Sequence, residues 1–189
     1  MDLSSLETRA VDADNWADLE QLFEARGGPH SCWCMVWRAK PAAARQAGTP
    51  ARKAILKAAL HARVAGGTPI GILGYLGGEP VAWCSIAPRP SYRTLGGPAD
   101  PPGDPAAVWS LTCFFAKRPL RGQGITGRLL AAAIAYARDN GARIVEAYPV
   151  DPTSPSYRYM GLIATFERAG FAPIGRAGSR RHVMRLSLD

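Results

Sequence analysis

Apolar positions in the first third of the chain recur at helical spacing. Trp16, Leu19, Leu22 and Phe23 fall on one face of a helix that Asp14-Asn15 caps and Gly27-Gly28-Pro29 ends. Asp14, Asp18 and Glu20 lie near its start, where the helix dipole favours negative charge. A short strand over Glu7 to Val11 precedes it. Residues 41–64 form a second helical region, broken at Gly48-Thr49-Pro50 and well formed from Arg52 to Val64, with the stripe Ile55, Leu56, Ala59 and Leu60. His61 near its end reads as an exposed helix-terminal histidine.

After the turn Gly66-Gly67-Thr68-Pro69 the period changes. Ile70 to Leu76, Gly77-Gly78 and Pro80 to Ala87 predict a β-hairpin. Residues 88–105 hold six prolines and must be a loop. Val108 to Ala116 is an apolar strand that runs into a glycine-rich turn, Arg121 to Gly127, and then into an alanine-rich helix, Arg128 to Asn140. Gly141 ends that helix, and a strand from Ala142 to Val150 follows, which makes a right-handed crossover. Residues 149–155 read as a loop, a last helix closes at Gly170, and Phe171 to Ile174 with His182 to Leu188 form a closing hairpin joined by residues 176–180.

Composition narrows the class. The chain has 189 residues, 47% apolar and 20% charged, which suits one globular domain with a proper core. No apolar run approaches the ~20 residues that a bilayer span needs. The start, Met1 to Glu7, is acidic and lacks a signal-peptide core, so a cytoplasmic protein is expected. Cys84 and Cys113 lie in apolar runs and read as small hydrophobes, and a disulfide framework is not expected. His30, Cys32 and Cys34 match no usual zinc spacing, so no metal is expected. Charge is lopsided: residues 117–189 hold 12 Lys+Arg against 5 acids, a net of +7, whereas residues 1–116 are at +1. These arginines are scattered with no long basic run, so a local phosphorylated ligand explains the field as well as nucleic acid does.

The turn Arg121-Gly122-Gln123-Gly124-Ile125-Thr126-Gly127 suits such a ligand. A helix start offers unpaired N–H groups and the positive dipole end, and glycines let a bulky anion approach the backbone. It is not a Walker loop, because no Gly-Lys-Ser/Thr follows, and no alternating strand–helix series supports a dinucleotide fold. The run does resemble the pyrophosphate-binding motif of the GCN5-related N-acetyltransferases, Arg/Gln-x-x-Gly-x-Gly/Ala, with Thr126 at the last position. The order of elements around it and the ending Glu167-Arg168-Ala169-Gly170-Phe171 are similar to the second half of that family's domain over about residues 68–188. The resemblance implies an α/β (α+β) fold with a mixed, mostly antiparallel central sheet and helices on both faces. Residues 1–67 would then be a helical, acceptor-side part and 68–189 a cofactor-binding part.

It also implies acetyl-coenzyme A as co-substrate. Backbone N–H groups of Arg121, Gly122, Gln123, Gly124, Ile125, Thr126 and Gly127 would hold its pyrophosphate. Phe114, Phe115 and Ala116 would pair with its pantetheine arm like an added strand, and Arg121 or Arg128 would add charge. The expected reaction is acetylation of a primary amine on a small molecule by direct attack in a ternary complex. Glu146, a carboxylate in an apolar strand, is the first candidate for general base; the alternative for it is an edge position or a salt bridge to a nearby arginine. Asp151 is second and His30 third. The family's tyrosine on the last helix is replaced here by Phe166, so either Tyr157 or Tyr159 reaches in, or the thiolate leaves with a proton from water, which is favoured because thiols of pKa ~8.5 leave readily. His30 to Arg38, with Trp33, Trp37 and Arg38, is either an acceptor-pocket wall or an aromatic plug on the core. Tyr92 and Arg93 either touch the acceptor or sit at a loop tip. Two rival functions remain: a coenzyme A-binding module without catalysis, and a basic nucleic-acid or ribosome-associated protein, ranked last. No membrane partner is expected, and a homodimer is left open.

Overall fold

The computed structural model describes residues 3–99 and 103–188; Met1-Asp2, Asp189 and residues 100–102 of the proline-rich loop lie outside the described residues. The described residues form seven strands: β1 (Glu7–Ala10), β2 (Ile72–Leu76), β3 (Glu79–Pro88), β4 (Val108–Ala116), β5 (Ile144–Ala147), β6 (Ala172–Ala177) and β7 (Arg181–Ser187). They make one sheet in the order β1-β2-β3-β4-β5-β7-β6, in which only β4 and β5 run parallel. The expected mixed, mostly antiparallel sheet is what the chain builds. Gly77 and Gly78, at φ +57° and +81°, give the β2–β3 hairpin a two-residue turn whose twist matches its strands.

Side chains alternate across the sheet, and each face meets its own helices. On one face α4 (Ile125–Asp139) and the short α5 (Ile163–Glu167) cover Ile72, Cys84, Ile86, Trp109, Leu111 and Val145. On the other, α1 (Trp16–Glu24) and α3 (Thr49–Ala65) cover Leu73, Tyr75 and Trp83, with one turn of helix, α2 (Ala43–Gln46), ahead of α3. A third cluster, with Trp37, Tyr92, Leu95, Tyr148 and Met160, lies under the proline-rich loop.

Several boundaries differ from the sequence reading, each for a local reason. Asn15 stands at the N-cap of α1, but its side chain is engaged behind the helix, accepting from Asp12 N and donating to Ala10 O. Helix α3 starts at Thr49, because Pro50 in a first turn forfeits no hydrogen bond. Strand β5 stops at Ala147, after which Val150 bridges to Leu162 and Arg181 instead.

Candidate active site

The parallel pairing of β4 with β5 covers only Val108–Leu111 against Ile144–Ala147. Beyond it β4 runs on to Ala116 with β3 alone as partner, so the edge of residues 112–116 toward β5 is open. Into this gap fit two clefts. The larger, about 590 Å³, is lined by Phe114, Phe115, Ala116, Arg121, Gly122, Ile125, Thr126, Leu129, Arg158, Tyr159, Gly161, Leu162 and Thr165. The smaller, about 290 Å³, is lined by Gly27, Pro29, Cys32, Cys34, Val36, Trp37, Thr112, Cys113, Phe114, Phe115, Arg121 and Tyr159. The two share Phe114, Phe115, Arg121 and Tyr159.

At the head of the larger cleft the chain turns on Gly122 (φ +76°) and Gly124 (φ +86°), conformations that favour glycine. The peptide N–H groups of residues 122–126 find no acceptor among the described residues, whereas Gly127 N and Arg128 N return to Gly124 O. A Cβ built on Gly122, Gly124 or Gly127 would meet no atom within 4 Å, so this backbone faces open space. Arg121 Nε donates to Ala116 O at 2.9 Å and fastens the end of β4 to the turn. Of the residues expected there, Phe114, Phe115, Ala116, Arg121, Gly122, Ile125 and Thr126 line the cleft, while Gln123 and Arg128 are exposed beside it. Arg158 is an additional cation in the lining; nothing in the local sequence separates it from other surface arginines.

Tyr159 stands at the junction of the clefts, 36% exposed, edge-on to Tyr157. Burial of its hydroxyl raises its pKa, so it stays protonated at neutral pH. Phe166 is fully buried against Phe114 and Phe171, beneath the cleft and not in it.

The aromatic segment divides between the two expected roles. Trp37 lines the smaller cleft, and the guanidinium groups of Arg181 (4.3 Å) and Arg93 (4.7 Å) both lie over its indole. Trp33 is 0% exposed and packs on Trp16 and Phe23; it lines neither cleft and belongs to the core. Arg38 is also buried below the pocket wall, donating to Ser85 Oγ and Tyr92 Oη. The reason for the split is a pair of left-handed residues, Trp33 (φ +44°) and Cys34 (φ +51°), which turn the chain between the two tryptophans.

The carboxylates lie elsewhere. Glu146 is buried beside the third cluster, where it accepts from Arg185 Nε at 2.7 Å, from Arg89 Nη1 at 3.3 Å and from Tyr148 Oη. The salt-bridge alternative is therefore the arrangement seen for Glu146, and it lines neither cleft. Asp151 accepts from or pairs with His182 Nε2 at 3.1 Å, again outside both clefts. His30 is absent from both linings as well. No group of three His, Cys, Asp or Glu among the described residues is placed to hold a metal, and no helix among them is long and apolar enough to cross a membrane.

A family model described as the acetyltransferase (GNAT) family matches residues 30–171. No curated protein matches the chain. Many solved structures do. YncA of Salmonella typhimurium, solved with its cofactor acetyl-CoA, is 17% identical with a TM-score of 0.55, over 98% of this chain and 95% of that one. PaiA N-acetyltransferase of Thermoplasma acidophilum, in complex with coenzyme A, is 11% identical with a TM-score of 0.55, over 97% and 99%. A GCN5-related N-acetyltransferase of Kribbella flavida is 16% identical with a TM-score of 0.56, over 99% and 100%. At such identities the likeness is one of fold.

Proposed function

The chain belongs to the acetyltransferase (GNAT) family, and from that premise we propose that it transfers an acetyl group from acetyl-coenzyme A to the primary amine of a small molecule, by direct attack with both substrates bound. The observation that carries the reading is the meeting of a phosphate-cradling cleft and an apolar cleft at Phe114, Phe115 and Tyr159. The residues fit coenzyme A. Unpaired N–H groups of residues 122–126 face open space at three glycines, Arg121 and Arg158 add positive charge, and β4 offers a free edge to an extended arm. Two solved relatives of the same fold hold acetyl-CoA or coenzyme A.

Bound there, acetyl-coenzyme A would supply a thioester open to attack by an amine. The N–H groups of residues 122–126 would hold the pyrophosphate, and the open edge of β4 would pair with the pantetheine arm. Trp37 and Val36 wall the acceptor side, exclude water and hold the amine within reach. The Tyr159 hydroxyl, protonated at neutral pH, can place its proton at the leaving sulfur. At about 290 Å³ the smaller cleft is at the low end of ligand pockets, which supports a small acceptor.

The test is thiol release from acetyl-coenzyme A across a panel of amines, amino acids and peptides, with product identified by mass. An acetylated small amine is the expected result. Tight coenzyme A binding without thiol release on any acceptor would mean a binding module and would refute the enzyme.

A further inference from the structure

The site as described lacks a base. Glu146 is held by two arginines and Asp151 by His182, both outside the smaller cleft, yet an amine arrives at neutral pH as an ammonium. The segment Cys32 to Arg38 supplies a different group. Arg38 is 1% exposed and donates to Cys34 O at 2.9 Å, Ser85 Oγ at 3.0 Å, Ile70 O at 2.7 Å and Tyr92 Oη at 3.2 Å, all of them neutral acceptors. No carboxylate among the described residues pairs with it. A buried guanidinium without an anion is expensive, so its field favours any nearby group that can ionise.

Cys34 is placed to be that group. Its sulfur accepts a hydrogen bond from Trp83 Nε1 at 3.0 Å. It lines the smaller cleft, next to the junction with the larger one. Its own φ of +51°, following +44° at Trp33, is uncommon for a residue with a side chain, and such backbone is held in place only by surroundings that insist on it.

We propose that Cys34 is the general base of the transfer, its thiolate taking a proton from the acceptor ammonium, and that Arg38 is the positioning residue that keeps the sulfur anionic. The inference rests on the acetyltransferase reading above. Cys34 S⁻ takes one proton from the ammonium and becomes the thiol, and the amine is released neutral. The nitrogen then forms its bond to the acyl carbon as the carbon–sulfur bond breaks. The second N–H proton ends on the leaving sulfur, relayed by Tyr159, and the Cys34 thiol returns its proton to solvent.

The groups facing Cys34 agree. The Cys113 hydrogen bond comes first in drawing the Cys34 thiol below its ordinary value, with Arg38 and Trp83 adding to it against the effect of burial. The same hydrogen bond, with burial, pushes Cys113 up. Burial raises Cys84, Tyr92 and Cys32, the last to about 11. Among these thiols Cys34 is thus the one whose surroundings draw it toward the thiolate, while those of Cys32, Cys84 and Cys113 hold them as thiols.

The test compares wild type with Cys34→Ser and Cys34→Ala on an amine that the wild type acetylates. Iodoacetamide should alkylate Cys34 and inactivate the wild type below pH 8, with the site located by mass spectrometry. Cys34→Ser should keep the wild-type melt and coenzyme A affinity, yet lose about 100-fold or more of kcat at pH 7, in line with general-base assistance of roughly 10²–10⁴-fold. The loss should shrink as pH approaches the acceptor's own pKa. Wild-type kcat in both variants would overturn the base while leaving the acetyltransferase standing. Acetyl on Cys34 after incubation with acetyl-coenzyme A alone would overturn it in favour of a nucleophile. A wild type that acetylates no amine would overturn both readings, and the alkylation profile would then report only an ionised buried thiol.

Discussion

Glu146→Gln separates two roles that a buried carboxylate can play. The Glu146 side chain is 1% exposed, and those of Arg89 and Arg185 are 18% and 16% exposed. Glutamine keeps the shape and can still accept from Tyr148, but it removes the negative charge that both guanidinium groups share. Breaking a fully buried pair costs ~3–5 kcal/mol. Both arginines retain some water, which lowers the expected loss to about 2–3 kcal/mol. For a chain of this size each kcal/mol moves Tm by ~2–4 °C, so Tm should fall by about 4–12 °C. The variant enzyme that remains folded should keep wild-type kcat and acceptor KM, because Glu146 reaches neither cleft. A thermal melt and steady-state rates from about pH 6 to 10 are the assays. An unchanged melt with a kcat loss of 100-fold that high pH restores would refute the structural role and make Glu146 the base.

Gly124→Val should weaken acetyl-coenzyme A binding at least tenfold, about 1.4 kcal/mol, by calorimetry on folded protein, because the side chain fills the space over the loop and φ is +86° there. Trp37→Ala should raise acceptor KM with coenzyme A affinity nearly intact, whereas Trp33→Ala should cost ~3–5 kcal/mol of stability and leave KM alone; identical behaviour of the two would count against the split. Tyr159→Phe should lower kcat about tenfold, less than full general-acid assistance, because a thiol of pKa ~8.5 leaves readily. Cys32, with its thiol pushed up to about 11 chiefly by burial, ionises only as pH rises through that value, so at pH 8 about 0.1% is thiolate and its alkylation should lag far behind that of Cys34.

Elements carried by local pattern were legible in the sequence. The strand–glycine turn–helix unit at 108–139, the two-glycine hairpin at 77–78 and the helix faces of α1 and α3 each follow from a handful of adjacent residues. The partners of Glu146 did not, because Arg89 and Arg185 stand 57 and 39 residues away and meet it only through the pairing of β5 with β7 and the fold of the proline-rich loop. Phe166 was identified by position, yet only packing shows that Gly161 lies close enough for a Cβ there to come within 2.6 Å of its ring.

Trp33 and Trp37 show where sequence reasoning reaches its end. They are four residues apart, alike in chemistry, and set in a segment that is neither helix nor strand. Helical spacing would have put them on one face and strand alternation would have done the same. The left-handed pair at Trp33 and Cys34 sends one indole into the core and leaves the other at the cleft. No glycine announces that turn. The same turn aims Cys34 at the cleft and brings Arg38 back beneath it, so the two expected roles of this segment, core plug and pocket wall, are held by alternate sides of one chain reversal. A charged residue closing so apolar a run is the signal that was present: Arg38 had to find either solvent or an anion, and the fold gives it instead four neutral oxygens, the Cys34 carbonyl among them.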